Sequence, residues 1–326
     1  FVWIPRYKYQ IFNLGNYNGY INGKPTTSTE QEIKIVFESK STSKSTGNAV
    51  GSYLTHPAFT LGTEELDGIW VAKYETSGST TDINVLPNVE SLRNINVKTM
   101  FDLAYNYERA MDSHMMKNTE WGAVAYLSHS KYGINREIRI NNSSIYTTGC
   151  AATVPALNYV KKEQTNHTEG YYNGCENTYN TPVGVLASAT GNISGIYDMS
   201  GGAWEYMASY IQNTLGSSGF TVSTISNYDS KYFDVYSSSS TITGYNNRIL
   251  GDATGELGPF YSYKDSDNEQ RFHSTWGTDN TNFVETSIPW FVRGGLYYAG
   301  VVSGTFAFAR DVGGAYSGYS FRLVLK

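Results

Sequence analysis

Residues 191–207 read GNISGIYDMSGGAWEYM, and the fold of the chain is decided by how this stretch is read. Gly195, Gly201 and Gly202 permit tight turns or positive φ, which side chains resist. Trp204 offers a large aromatic body for a core. Asp198 and Glu205 are carboxylates close together in a segment that otherwise looks buried. Buried charge needs partners or a metal.

The surrounding composition fits such a turn-rich segment. Charged residues make up 16% of the 326, against a usual share of about 25%. Polarity comes instead from Tyr, Ser, Thr, Asn and 32 Gly, a mix that suits strands, turns and loops better than long surface helices. The net charge of −5 and pI near 5.6 argue against a nucleic-acid footprint, which is basic. No apolar run approaches the ~20 residues that span a bilayer, and no signal-peptide pattern is present. The chain opens at Phe1 rather than Met, so an upstream segment, a membrane anchor included, is an open expectation.

Alternation predicts strands in residues 1–12, 32–38 (Ile33, Ile35 and Phe37 inward) and 69–76. Val97, Met100, Phe101, Leu103, Ala104, Tyr107, Ala110 and Met111 draw one apolar stripe on a helix. A second helix starts near Asn118 or Thr119 as cap, runs through Leu127 and stops at Gly133. Beyond it helical periodicity fades into short strands and glycine turns. Ser-rich and acidic stretches at 237–240 and 264–267 read as parts of surface insertions spanning about 210–280. No linker argues for two domains. The expectation is a single α+β domain over residues 1–326, with two early helices and short antiparallel strands.

Most chemistry-bearing constellations are missing. His56, His114, His129, His167 and His273 make no HExxH, and GxSxG and GxxxxGK[ST] are absent. The carboxylate pairs Glu64–Glu65 and Asp265–Asp267 read as solvated loop charge, and the Asn142, Asn166 and Asn192 triplets matter only in a glycosylating host. Cys150 and Cys175 match no zinc spacing. They are left open as one disulfide of an exported protein or as two free thiols.

The 191–207 stretch resembles the signature of the formylglycine-generating enzyme family, roughly N-x-x-G-L-Y-D-M-x-G-N-V-W-E-W. Asn192, Gly195, Tyr197, Asp198, Met199, Gly201, Trp204 and Glu205 match, while Gly202 replaces an Asn and Tyr206 another aromatic. Residues 118–125 (NTEWGAVA), 292–295 (VRGG) and 320–325 (SFRLVL) are similar to further family segments in the same order. The resemblance implies a C-type lectin fold of the formylglycine-generating (sulfatase-modifying factor) subtype. It also implies a structural calcium site using the side chains of Asp198 and Glu205 and the carbonyls of Gly201 and Ala203, since oxygen ligands suit that ion. The alternative is that Asp198 and Glu205 hydrogen-bond to backbone or pair with Arg293 or Arg322. The family's oxidation requires cysteines near the carboxy terminus, and none follows Cys175. The expectation is therefore no enzyme and no catalytic cofactor.

Residues 293–322 (RGGLYYAGVVSGTFAFARDVGGAYSGYSFR) interleave two kinds of position. Framework-like Arg293, Gly294, Gly295, Tyr297, Gly300, Gly304, Phe306, Phe308, Gly313, Ser320, Phe321 and Arg322 enclose Leu296, Tyr298, Ala299, Val301, Val302, Ser303, Ala309, Asp311, Val312, Gly314, Tyr316 and Gly318. The second set resembles the variable region of proteins diversified by retroelements, where scattered AAY codons give every residue type present there and never Lys, Glu, Gln, Met or Trp. The resemblance implies a ligand-binding patch with Tyr298 and Tyr316 as anchors. Leu296, Val301, Val302 and Val312 would make it apolar. The implied protein is an adhesin or receptor-binding module on a bacterial surface or phage virion, taking a protein or glycan ligand and no nucleic acid. The rival expectations are a fixed calcium-dependent carbohydrate-binding lectin and a diverged metal-dependent enzyme.

Overall fold

A computed structural model describes residues 1–13, 20–21, 24–25, 30–155, 172–237, 248–254, 256, 260–264, 270–274 and 276–326. The elements that position the site are β1 (Val2–Pro5), β2 (Tyr7–Gln10), β3 (Ile35–Phe37), β4 (Tyr53–Thr55) and β5 (Gly68–Val71), then α1 (Val97–Tyr107), β6 (His114–Met115) and α2 (Asn118–Ser128). After these come β7 (Trp204–Ile211), β8 (Asp234–Tyr236), β9 (Trp290–Gly294), β10 (Gly304–Asp311), β11 (Tyr319–Phe321) and β12 (Leu323–Leu325). The fold is α+β and dominated by strands.

The two ends of the chain meet in one sheet, ordered β1–β5–β12–β6. Val71 of β5 faces Val2 on one side and Val324 on the other. A second sheet runs β8–β7–β9–β10, and β11 also pairs with β7. Neighbouring residues of a strand point to opposite faces, and β7 and β9 bury both. Met207, Ile211 and Phe291 enter one apolar cluster with β1, β2 and α2, while Tyr206, Ala208, Trp290 and Val292 enter another with α1. Burial on both sides explains why these strands read as apolar runs rather than as clean alternation.

α1 forms as its stripe predicts, burying Val97, Met100, Phe101 and Ala104, with the Asn96 side chain accepting from the Thr99 N–H at 3.0 Å. It stops at Tyr107, so Tyr107 and Met111 lie exposed instead of completing the stripe. α2 is buried on nearly every side. Its cap position is Lys117, whose N–H donates to Glu120 at 2.9 Å, rather than Asn118 or Thr119. The N–H groups of those two reach the Ser209 hydroxyl and the Asp234 carboxylate, each at 2.8 Å, so tertiary partners satisfy what a local cap would have.

Four other expectations need correction. The strands are not uniformly antiparallel, because β7 pairs parallel with both β8 and β11. Residues 210–280 are not simply surface insertions, since β8 joins the sheet and Phe220, Tyr236, Asp252, Phe272 and Trp276 are buried. Phe37 is exposed although Ile33 and Ile35 are buried. Trp204 only rests against the core, whose fully buried tryptophans are Trp121 and Trp290. The tracts at 238–240 and 265–267, Asn166 and His167 lie outside the described residues.

Candidate functional site

The 191–207 segment holds both ends of the carboxy-terminal region. Gly201 N–H donates to the Gly294 carbonyl at 3.1 Å, Tyr297 N–H to Gly202 at 2.9 Å and Trp204 N–H to Gly318 at 2.9 Å. In the sheet, Glu205 lies opposite Arg293 on one side and Ser320 on the other. Gly201 and Gly202 sit at φ +76° and +67°. A Cβ on Gly201 would meet the Asn141 carbonyl at 2.4 Å, and one on Gly202 the Glu75 carboxyl at 2.6 Å.

Beneath this hub lies a buried charge cluster. Glu205 takes two hydrogen bonds from Arg322, from Nε at 2.9 Å and Nη2 at 2.5 Å, and both side chains are fully buried. The remaining Arg322 donors reach the carbonyls of Ala72 and Tyr197 at 2.8 and 2.9 Å. Asp198 accepts from Gly149 N–H at 2.8 Å, Asn141 Nδ2 at 2.9 Å and Glu75 N–H at 3.4 Å. Burial and then the charges of Asp198 and Glu205 push the Glu75 carboxyl well above its usual range. Three carboxyl groups thus crowd around one guanidinium, and the charged form of Glu75 is disfavoured. Burial, opposed by Arg322, moves Glu205 up to about 7. Burial works against the Arg322 cation too, but the Glu205 carboxylate outweighs it and raises its pKa.

Of the four positions expected to hold calcium, Asp198, Gly201, Ala203 and Glu205, the two that would supply side chains do not fit the ion. Both carboxylates are engaged by protein donors, with the Arg322 guanidinium as the cation against Glu205. The Ala203 N–H is tied to Glu75 at 3.0 Å. Among the described residues, no group of three or more His, Cys, Asp and Glu is arranged to hold a metal ion. The geometry supplies the other alternative, backbone hydrogen bonds for Asp198 and Arg322 for Glu205. Arg293 turns to the Ala253 carbonyl at 3.0 Å.

The described histidines are scattered. His56 is enclosed by Tyr7, Tyr9, Phe59 and Tyr126, His114 bonds Glu120 at 2.9 Å, His129 bonds Glu30 at 2.7 Å and His273 bonds the Thr278 carbonyl at 2.7 Å. Cys150 and Cys175 are joined in a disulfide, Cα to Cα 5.3 Å, which resolves the two alternatives left open for them.

Above the hub, Leu296, Tyr298, Asp311, Tyr316 and Gly318 gather around a surface cleft of about 440 Å³, with Tyr146, Ser317 and Tyr319 completing the wall. Tyr298 is 50% exposed and Tyr316 42%, which suits ring faces offered to a ligand. The Tyr206 hydroxyl and the Gly313 N–H (2.9 Å) both donate to Asp311, and Tyr319 bonds it too. Burial and then the Asp311 charge push the Tyr206 and Tyr319 hydroxyls up, so both stay protonated donors. Four of the eight wall residues are tyrosines. Tyr297 meets Tyr146 edge-on at 5.1 Å and Tyr298 at 5.0 Å, and Tyr319 lies 5.5 Å from Tyr316.

The other expected positions go elsewhere. Val301 and Val302 sit on a 3₁₀ turn whose carbonyls accept from Thr278 (3.1 Å) and Asn280 (3.0 Å), with Ala299 at its N-cap. The Val312 carbonyl accepts from Ser217 N–H at 2.6 Å. Ala309 packs on the α1-side core. Ser303 is buried with its hydroxyl on the Leu296 carbonyl at 3.0 Å, and Gly314 is buried under the Tyr316 ring. Neither belongs to an exposed patch, and of the four apolar residues only Leu296 lines the cleft.

Sequence reasoning missed Tyr146, Ser317 and Tyr319. Tyr146 comes from a distant loop and carries no local signal. Its φ of +58° is unusual for a bulky residue. Arg93 holds it there, with its guanidinium 4.0 Å from the ring centre and Nη1 donating to the Ser317 carbonyl at 2.6 Å. Comparison of the chain with protein-family models and with curated proteins gives no match.

Proposed function

We propose that this chain is a non-enzymatic ligand-binding protein, an adhesin or receptor-binding module. In this reading the domain has a C-type lectin fold of the formylglycine-generating subtype, and residues 293–322 form a surface diversified by a retroelement. One observation carries the reading. Five of the positions singled out as variable, Leu296, Tyr298, Asp311, Tyr316 and Gly318, line one cleft, and the framework between them is fixed by buried Phe306, Phe308 and Phe321. Tyrosine offers large contact area at low entropic cost, which suits a recognition surface. The ligand would be a protein or glycan on another cell or surface.

Two further observations support the reading. The two cysteines are bonded to each other, which leaves neither as a thiolate for copper or substrate chemistry. A disulfide also suits an oxidising setting such as a bacterial surface or a virion. No helix among the described residues is long and apolar enough to cross a membrane.

The test is deep sequencing of the 3′ end of the gene across its source population. The expected result is substitution concentrated at Leu296, Tyr298, Asp311, Tyr316 and Gly318, with Ser303 and Gly314 restricted by burial. A uniform 3′ end overturns the diversification.

A further inference from the structure

We infer that the occupant of this cleft is a cationic side chain, lysine or arginine, presented by a protein partner. The inference rests on the ligand-binding reading above and narrows its ligand class. Tyr146, Tyr298, Tyr316 and Tyr319 supply four aromatic rings to the wall, and Asp311 is its one charged residue. Aromatic faces attract cations through their quadrupole, and a neighbouring carboxylate adds to that attraction.

Asp311 is built for the task. Tyr206, Gly313 and Tyr319 donate to it and fix its orientation. A carboxylate has about four acceptor sites, so these three leave capacity for an incoming N–H. Nothing on the adjacent strand position neutralises it, because Arg310 is paired with Glu285 at 2.8 Å. Arg93, a cation at the rim, is already committed to the Ser317 and Ser91 carbonyls and to Glu90. Its stacking on Tyr146 shows that a tyrosine of this rim takes a guanidinium. The net charge of −5 adds long-range attraction for a basic partner. A neutral sugar would use the ring faces but leave the carboxylate's charge unused.

The test titrates the full chain with short capped peptides carrying one arginine or lysine, with citrulline and norleucine counterparts, and with neutral oligosaccharides. Binding is followed by NMR shifts of cleft residues. The expected result is cleft-localised binding of the arginine and lysine peptides, at least about tenfold tighter than their neutral counterparts and weakened by salt. Asp311→Asn should remove that preference. Tyr316→Leu, at an exposed position, should weaken binding with the melting temperature unchanged, which keeps the test valid if Asp311→Asn disturbs folding. Equal binding of citrulline and arginine peptides, sugar binding without charge dependence, or no charge-selective binding at millimolar peptide each overturns the inference while leaving the ligand-binding reading standing. That reading fails separately if a Tyr298→Ala/Tyr316→Ala variant adheres to the target surface as wild type does.

Discussion

Replacing Arg322 with Met tests the buried hub most directly. Arg322 and Glu205 are both fully buried and joined by two hydrogen bonds. Removing one partner of such a pair leaves an uncompensated buried charge, at a cost of about 3–5 kcal/mol. The substitution also strips donors from the Ala72 and Tyr197 carbonyls, which places it at the upper end. Unfolding entropy of about 2 cal/mol/K per residue makes each kcal/mol worth roughly 1.5 °C in a chain of 326 residues. The expected loss is therefore about 6–8 °C in a calorimetric scan. Glu205→Gln should cost a comparable amount, and the Arg322→Met/Glu205→Met double variant should recover part of the loss because no charge is left stranded. EDTA should leave the wild-type midpoint within about 1 °C, since Arg322 rather than calcium faces Glu205. Single variants that melt with wild type, strictly additive losses in the double variant, or a several-degree drop on chelation would each refute this account.

Gly201→Ala should cost about 2 kcal/mol or more, read as a lowered denaturant midpoint, because φ +76° and a 2.4 Å approach to the Asn141 carbonyl leave no room for a methyl group. Reducing the Cys150–Cys175 bond, which spans 25 residues, should cost about 3–4 kcal/mol on the chain-entropy account, checked by melting with and without reductant. Stability should peak near the ordinary carboxylate range, at about pH 4.5. Above that, Glu205 and Glu256 (about 7), Asp279 (about 8) and Glu137 (about 9), all raised first by burial, lose stabilising protons, so the midpoint falls as pH rises through those values. His56, held neutral by burial down to about 3 against 6.5, opposes that fall with one proton against four below pH 6.5, and makes the midpoint drop once the pH is below about 4.5. A profile rising steadily from pH 6 to 9 would contradict these assignments.

Local order determined what the sequence could announce. The α1 stripe, the buried Asp198 and Glu205, the turn glycines Gly201 and Gly202 and the framework phenylalanines were all legible, because each is dictated by periodicity, backbone conformation or residue type over a few positions. Leu296, Tyr298, Asp311, Tyr316 and Gly318 belong to the twelve positions that the resemblance to retroelement-diversified proteins singled out, and the fold selects these five of them for the cleft wall. What faces what was not legible. Tyr146 reaches the cleft from a loop far away in sequence, and Glu75 joins Asp198 and Glu205 from the end of another segment. Whether Glu205 meets a metal or Arg322 depends on two strands laid side by side, β7 against β11, with Arg322 following directly. Ser303 and Gly314 are likewise turned inward while Tyr298 and Tyr316 stay at the surface. Residue type sets what each side chain can do. Only the tertiary pairing of strands decides which charges meet and which rings face solvent, because burial and Coulomb energy depend on distances in space rather than along the chain.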